Sequence, residues 1–291
     1  MPDSQTAYQP NPSPLLRVLR VLSRLIPGDY LKTAIYLTLI ERPRRTLRVA
    51  LNTFYRFDHV YAVLREFRKS YEGDFSILEF GTSDGYAFTK MLYATRYLRM
   101  DKRVIVHTFD SFEGMPPAAD ERDLDLVGSD SWAPGEFRGR YDDLRVYCAR
   151  KYQNFRIHKG YFEHTLTPEF LDSLKSNPPM LVWIDCDYYS SAKTVIERLM
   201  PYLPNGCVVY FDEYDNLNFG SRLTGEARLV HEINQGQYGE NIELVLDRKL
   251  GLDSDRIYRF VRMGSERRYR VLRTENAASV VHLRGNDSPL P

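Results

Sequence analysis

The sequence predicts an α/β protein: a seven-stranded, mostly parallel sheet with helices on both faces. Three observations carry this. From Phe75 onward, short apolar runs alternate with longer stretches of helical periodicity. Glycine or acidic residues stand directly behind several of those runs, where a parallel sheet presents its carboxyl ends. The series closes on two strand-like runs in succession, the pattern of an antiparallel edge.

SILEF (76–80) is the first strand, followed by a glycine-bearing turn and the helical stretch YAFTKMLYATRYL. VIVHTF (104–109) is the second, followed by a long loop rich in Pro, Gly and Asp and a helix around DDLRVYCARKY. NFRIHKG (154–160), a helix in TPEFLDSLKS, MLVWID (180–185) and a helix in SAKTVIERLMPYL come next. CVVYFDEY (207–214) is the fifth strand, and GEARLVHEINQ is helical. NIELVLD and DRIYRFVRM, joined by a short connection, are expected to pair as a hairpin.

Ahead of the sheet the character changes. Residues 1–14 are polar and proline-rich, which predicts a disordered tail. Residues 15–70 predict a helical extension that lids the site, shapes the acceptor region or forms a dimer face. Between Pro14 and Lys69 there are twelve Lys and Arg against four Asp and Glu. Leu15, Leu19, Leu22 and Ile26 recur on one helical face and Arg17, Arg20 and Arg24 on another. Such a basic amphipathic helix can touch an anionic membrane surface, cap a domain or pair two subunits. The sheet domain is placed at 71–263 and a C-terminal tail at 264–291.

Composition excludes several classes. The 291 residues carry a net charge of +1, 43% hydrophobic and 27% charged residues, an ordinary globular balance. No general basic field for nucleic acid exists. Tyr (21) and Phe (15) are abundant, which suits aromatic core packing or a ligand cleft. The three cysteines, Cys148, Cys186 and Cys207, lack C-x-x-C spacing and predict buried reduced thiols. No apolar run approaches the roughly 20 residues of a membrane span, and the N-terminus makes a poor secretory signal. A cytoplasmic protein is expected.

Chemistry is expected at the strand ends. The turn EFGTSDG, Glu79 to Gly85, places two glycines at a strand–helix junction, where backbone passes close to a ligand. Ser83 stands where the dinucleotide G-x-G-x-x-G pattern needs its second glycine. Asp110, ending the second strand about 25 residues on, can grip ribose hydroxyls or start the loop as an Asx cap. The fourth strand delivers Asp185 and Asp187, and the fifth Asp212 and Glu213. Four such carboxylates side by side call for a divalent cation, and all-oxygen ligands favour Mg²⁺, Ca²⁺ or Mn²⁺. In an extended segment Asp185 and Asp187 point the same way, one toward metal and one toward a substrate hydroxyl. Solvated strand ends, with Asp187 as a helix cap, are the simpler alternative. The six histidines form no H-x-x-x-H pair, and His164 alone stands in a loop that can reach the cleft. Neither a G-x-S-x-G elbow nor a P-loop is present.

The motifs ILEFGTSDGYAF, FDSFEGMP, KGYFEHTLTP and LVWIDCDYYSSAKTVIERLMPYLPNGCVVYFDEY, with the GEARLVHEI helix, resemble the macrocin-type O-methyltransferases in kind and order. These are metal-dependent class I enzymes that use S-adenosylmethionine to methylate sugar hydroxyls and related groups of natural products. The resemblance spans roughly residues 55–262. It implies that Glu79, Gly81, Thr82, Ser83 and Gly85 line the methionine part of the cofactor. Asp110 would take the ribose with Ser111 and Phe112 beside it, and Gly160, Tyr161 and Phe162 would flank the adenine. Asp185, Asp212 and Glu213 would hold Mg²⁺, and Asp187 would be the general base. Cys186 departs from the family's D-G-D, Glu213 from its D-D, and His164 replaces an aspartate.

The expectation is a class I methyltransferase fold acting on a small-molecule or glycan hydroxyl, not on nucleic acid, in a self-associating chain. A phenolic diol acceptor and a non-catalytic nucleoside-binding protein working through its basic N-terminal helices are the alternatives.

Overall fold

The computed structural model describes residues 58–124, 126, 132–215, 219–250 and 256–264. The expected tails, and the basic stretch from 15 to 57, lie outside the described residues. The described elements begin with helix α1 (Asp58–Ser70), strand β1 (Phe75–Phe80), helix α2 (Tyr86–Tyr97) and strand β2 (Val104–Asp110). After a long loop with one 3₁₀ turn (Glu121–Asp123) come α3 (Tyr141–Lys151) and β3 (Phe155–Lys159). Two short helices, α4 (Phe162–Thr165) and α5 (Pro168–Ser173), lead to β4 (Pro179–Ile184). Then follow α6 (Tyr189–Leu199), β5 (Val208–Phe211), α7 (Gly225–Asn234), β6 (Ile242–Leu246) and β7 (Ile257–Arg262).

The seven strands form one sheet in the order β3-β2-β1-β4-β5-β7-β6. β1 to β5 run parallel, and β7 pairs antiparallel with both β5 and β6. The last two strands pair as expected, but β7 is inserted beside β5 and leaves β6 as the edge. Strand order reverses between β1 and β4, so their carboxyl ends open the crevice where such sheets bind ligands.

β1, β4 and β5 are buried along their whole lengths, which is why they read as continuous apolar runs. One face (Ile77, Leu181, Trp183, Val208, Tyr210) packs under α1 and α2. The other (Leu78, Phe80, Val182, Ile184, Val209) packs under α6 and α7. Val60, Val63, Leu64 and Phe67 of α1 are buried in the first of these cores. Residues 60–67 of α1, within the stretch expected as a helical extension, thus pack with the sheet. The connection before β1 is too short to separate the helix from the strand it covers.

On the α6 side, aromatic rings run from strand to strand. Phe80 stacks on Phe109 at 4.8 Å and Phe109 on His158 at 4.2 Å. His107 Nδ1 and His158 Nε2 share a hydrogen bond of 3.0 Å. Burial depresses both imidazoles, His107 to about 3 and His158 to about 4, with Arg156 adding to each. Cys148, Cys186 and Cys207 are free buried thiols, as expected. No helix among the described residues is long and apolar enough to cross a membrane.

Candidate active site

At the end of β1 the chain makes the turn Gly81–Gly85, with Gly81 at φ +93° and Gly85 at φ +76°. A Cβ on Gly81 would lie 1.6 Å from the carbonyl oxygen of Asp185, and one on Gly85 2.4 Å from the Leu144 side chain. These glycines are thus required by close packing of the turn on β4 and α3, rather than by a ligand alone. The Asp110 carboxylate locks the same turn from β2. Its Oδ2 accepts the backbone N–H groups of Thr82 (2.7 Å) and Ser83 (2.8 Å), and its Oδ1 that of Phe112 (2.5 Å). The Asx turn anticipated as an alternative is therefore present, joined to a cross-strand clamp across the crevice.

Behind the turn, the Thr108 hydroxyl donates to Glu79 Oε2 and meets the hydroxyl of Thr82. Glu79 is fully buried, its Oε1 is without a hydrogen-bond partner, and burial pushes its carboxyl well above the usual range. Phe112 is buried edge-on against Tyr141, and the Gly160 N–H donates to the Asp110 carbonyl.

A cavity of about 260 Å³ opens over these strand ends. Of the residues assigned to the cofactor from sequence, Gly81, Asp110, Ser111, Tyr161 and Phe162 line it. Glu79, Thr82, Ser83, Gly85, Phe112 and Gly160 do not line it. Met115, Pro116, Pro117 and Phe137 add apolar surface that the sequence reading did not single out. Asp185, Cys186 and Asp187 line it as well. His164 is exposed and does not line the cavity, although Phe162 and Glu163 beside it do.

Asp185, Asp212 and Glu213 come together: one carboxylate oxygen from each lies within 4.8 Å of the others. Parallel pairing of β4 with β5 makes this possible, since the Asp212 N–H donates to the Ile184 carbonyl and keeps the strand ends level. Asp187 departs from expectation in its geometry. β4 ends at Ile184 and Asp187 adopts a left-handed φ of +62°, so strand alternation with Asp185 does not set its direction. It does not cap α6 either; the N-cap is Tyr188, which makes no side-chain capping bond. Burial and the charges of Glu213 and Asp212 instead raise its carboxyl well above the usual range, opposed by a hydrogen bond from Trp132. Ser83, Phe112, Trp132 and Phe137 share the left-handed conformation, a concentration of backbone strain around one crevice.

Sequence reasoning missed Glu226. It is fully buried at the start of α7, and its Oε2 accepts the Glu213 N–H at 3.0 Å. Its Oε1 is sealed from solvent without a hydrogen-bond partner, and burial with Glu213, Asp212, Asp185 and Asp187 pushes its carboxyl well up. The signal was available: Glu226 shares a helical face with buried Leu229, Val230 and Ile233. Five acids packed this closely, one with an orphaned buried oxygen, fit a divalent cation and are costly without one.

The loop after β2 is tied to α6 and α7 beside the cavity. Asp123 accepts the N–H and the hydroxyl of Ser190 at 2.8 and 2.9 Å, supplying the cap that α6 lacks. Arg122 lies 4.3 Å over the Tyr189 ring, and the Thr224 hydroxyl reaches the carbonyls of Arg122 and Leu124.

Residues 78–214 match the family model described as a methyltransferase domain. That stretch is thus similar to a methyltransferase domain. The crevice, the cavity and Asp185, Asp187, Asp212 and Glu213 all fall within that match, whereas Glu226 lies beyond it. Among solved structures, the chain is similar to CalS11, a calicheamicin methyltransferase, with a TM-score of 0.57 and 23% identity. That similarity covers 91% of this chain and 98% of that one, and it shows the class I methyltransferase fold. The O-methyltransferase NovP gives a TM-score of 0.48 at 19% identity, covering 71% of this chain and 79% of that one. MycE from the mycinamycin pathway, in complex with Mg and SAH, gives 0.38 at 14% identity, over 80% and 63%. No curated protein is significantly similar to the chain.

Proposed function

We propose that the chain is an S-adenosylmethionine-dependent, Mg²⁺-dependent O-methyltransferase acting on a hydroxyl of a sugar or glycosylated small molecule. The observation that carries this is the placement of Asp187. It lines the cavity, beside the cluster of Asp185, Asp212 and Glu213.

The rest of the lining suits a nucleoside. Tyr161, Phe162 and Met115 offer flat or soft apolar walls for a base, and Asp110 and Ser111 offer acceptors for ribose hydroxyls. The acidic lining complements a cationic methyl donor. Asp185, Asp212 and Glu213 would hold the cation, an oxygen-only set that suits Mg²⁺. When bound, the sulfonium supplies an activated methyl group and the cation lowers the pKa of the acceptor hydroxyl. Asp187 would accept the proton of the acceptor hydroxyl that takes up that methyl group. Its burial makes the carboxylate a stronger base than one in water. Met115, Pro116 and Pro117 in the cavity wall would limit water around the reacting pair, so positioning and desolvation would supply most of the rate. The sugar acceptor is inferred from the resemblance of the D-S-F-E-G-M-P and D-x-D-x-Y-x-S stretches to the macrocin-type enzymes.

Calorimetry with S-adenosylmethionine, with and without Mg²⁺, tests the reading. Absence of binding at high micromolar ligand would overturn it. Asp187→Asn should retain S-adenosylhomocysteine binding and lose about 10²- to 10⁴-fold in turnover. Full turnover in that variant would remove the base role and leave the fold untouched.

A further inference from the structure

Two of the three clustered carboxylates, and the backbone of the third acid, are each held from outside by a different residue. The Trp183 indole N–H donates to Asp185 Oδ2 at 3.2 Å, from two residues earlier on β4. The Tyr210 hydroxyl donates to Asp212 Oδ1 at 2.6 Å, from two residues earlier on β5. Glu226 Oε2 accepts the Glu213 backbone N–H at 3.0 Å, from α7. We propose that Trp183, Tyr210 and Glu226 are positioning residues of the cation site, the first two fixing the carboxylates of Asp185 and Asp212 and the third the backbone of Glu213. The proposal rests on the reading that Asp185, Asp212 and Glu213 hold a divalent cation.

The two aromatic residues have no freedom to do otherwise. Trp183 and Tyr210 are buried and packed together, with ring centroids 3.9 Å apart. His59 of α1 stacks on both, at 5.1 and 4.7 Å. The Arg256 guanidinium hydrogen-bonds Tyr210, so the phenol oxygen accepts from Arg256 while its proton is directed to Asp212. A stack of three rings thus carries two polar tips, and each tip ends on a different aspartate. Parallel register places those tips side by side, because Trp183 is the direct partner of Tyr210 across β4 and β5.

Glu226 works from α7. It anchors the backbone of Glu213, and its second oxygen is buried without a partner against the same acids. Outer partners of this kind orient ligands, and their removal costs about 10- to 100-fold in metal affinity.

The test is Mn²⁺ titration of the full chain, followed by the loss of the free-ion electron paramagnetic resonance signal, beside metal-free melting curves. Tyr210→Phe removes one hydroxyl and leaves the stack intact. It should melt near wild type without metal and bind Mn²⁺ about 10-fold or more weakly. Trp183→Phe should do the same through Asp185. Glu226→Leu should lose about 10-fold, with Glu226→Gln, which keeps an acceptor for the Glu213 amide, falling between it and wild type. If wild type binds and these variants match it, the positioning roles are wrong and the cation reading stands. If wild type does not bind, or Asp212→Asn binds as tightly as wild type, the cation reading falls and the proposal with it. Should Trp183→Phe fail to fold, Tyr210→Phe decides.

Discussion

Asp123 and Ser190 are joined twice: the backbone N–H and the hydroxyl of Ser190 both donate to the one carboxylate, across 67 positions of sequence. A residue in the loop after β2 thereby caps the helix after β4 and fixes that loop beside the cavity. Asp123→Ala should cost about 2 kcal/mol by melting or denaturant titration, the sum of a lost cap and freed buried donors. It should also raise hydrogen exchange in residues 119–124.

The clamp at Asp110 makes a separate prediction. Asp110→Ala frees the N–H groups of Thr82, Ser83 and Phe112 and releases the glycine turn from β2. S-adenosylhomocysteine binding, measured by calorimetry, should weaken by about 2 kcal/mol, roughly 30-fold.

The stacked histidines make the fold acid-sensitive. Both are held neutral, His107 to about 3 and His158 to about 4, against 6.5 in an unfolded chain. Below pH 6.5 the unfolded chain binds protons that the folded one refuses, so stability falls as pH drops from 6.5 toward 4. His107→Phe, with Phe109 and Phe170 already around it, should flatten the slope of melting temperature against pH over that window.

The acid cluster has the opposite sign. Asp187 and Glu226 are raised by burial and like charge, so without metal the folded state holds protons that the unfolded chain has released. That stabilisation is complete below the unfolded value near 4 and is lost as pH rises. Mg²⁺ or Mn²⁺ should therefore raise the melting temperature more at pH 8 than at pH 5. Equal shifts at both would count against a cation among these acids.

The sheet was legible because β1, β4 and β5 are buried on both faces and turn polar directly at their carboxyl ends. Asp185, Asp212 and Glu213 stand behind β4 and β5, and Asp110 ends β2, so the neighbourhood of the site could be read as well. Its geometry could not. Asp187 looks like the next step of a strand, and nothing in D-C-D announces a left-handed aspartate, since that conformation usually advertises itself by glycine. The glycines of the turn suggested ligand space, whereas Gly81 answers to the Asp185 carbonyl, a contact between β1 and β4 that no local window contains. Glu226 passed as an ordinary acid in the first turn of a helix, where the helix dipole favours one. Only its shared face with Leu229, Val230 and Ile233 sets it apart.

The ring stack under the acids also says where this protein cannot be cut. His59 rests on Trp183 and Tyr210, and Val60, Val63, Leu64 and Phe67 cover the same face of the sheet. A chain beginning at residue 71, the boundary its sequence suggests, would keep every acid of the site. It would nonetheless strip the underside of β4 and β5 and open those rings to water. The helix ahead of the first strand is the floor on which the chemistry stands, and exchanging it between relatives would retune the site without touching a single carboxylate.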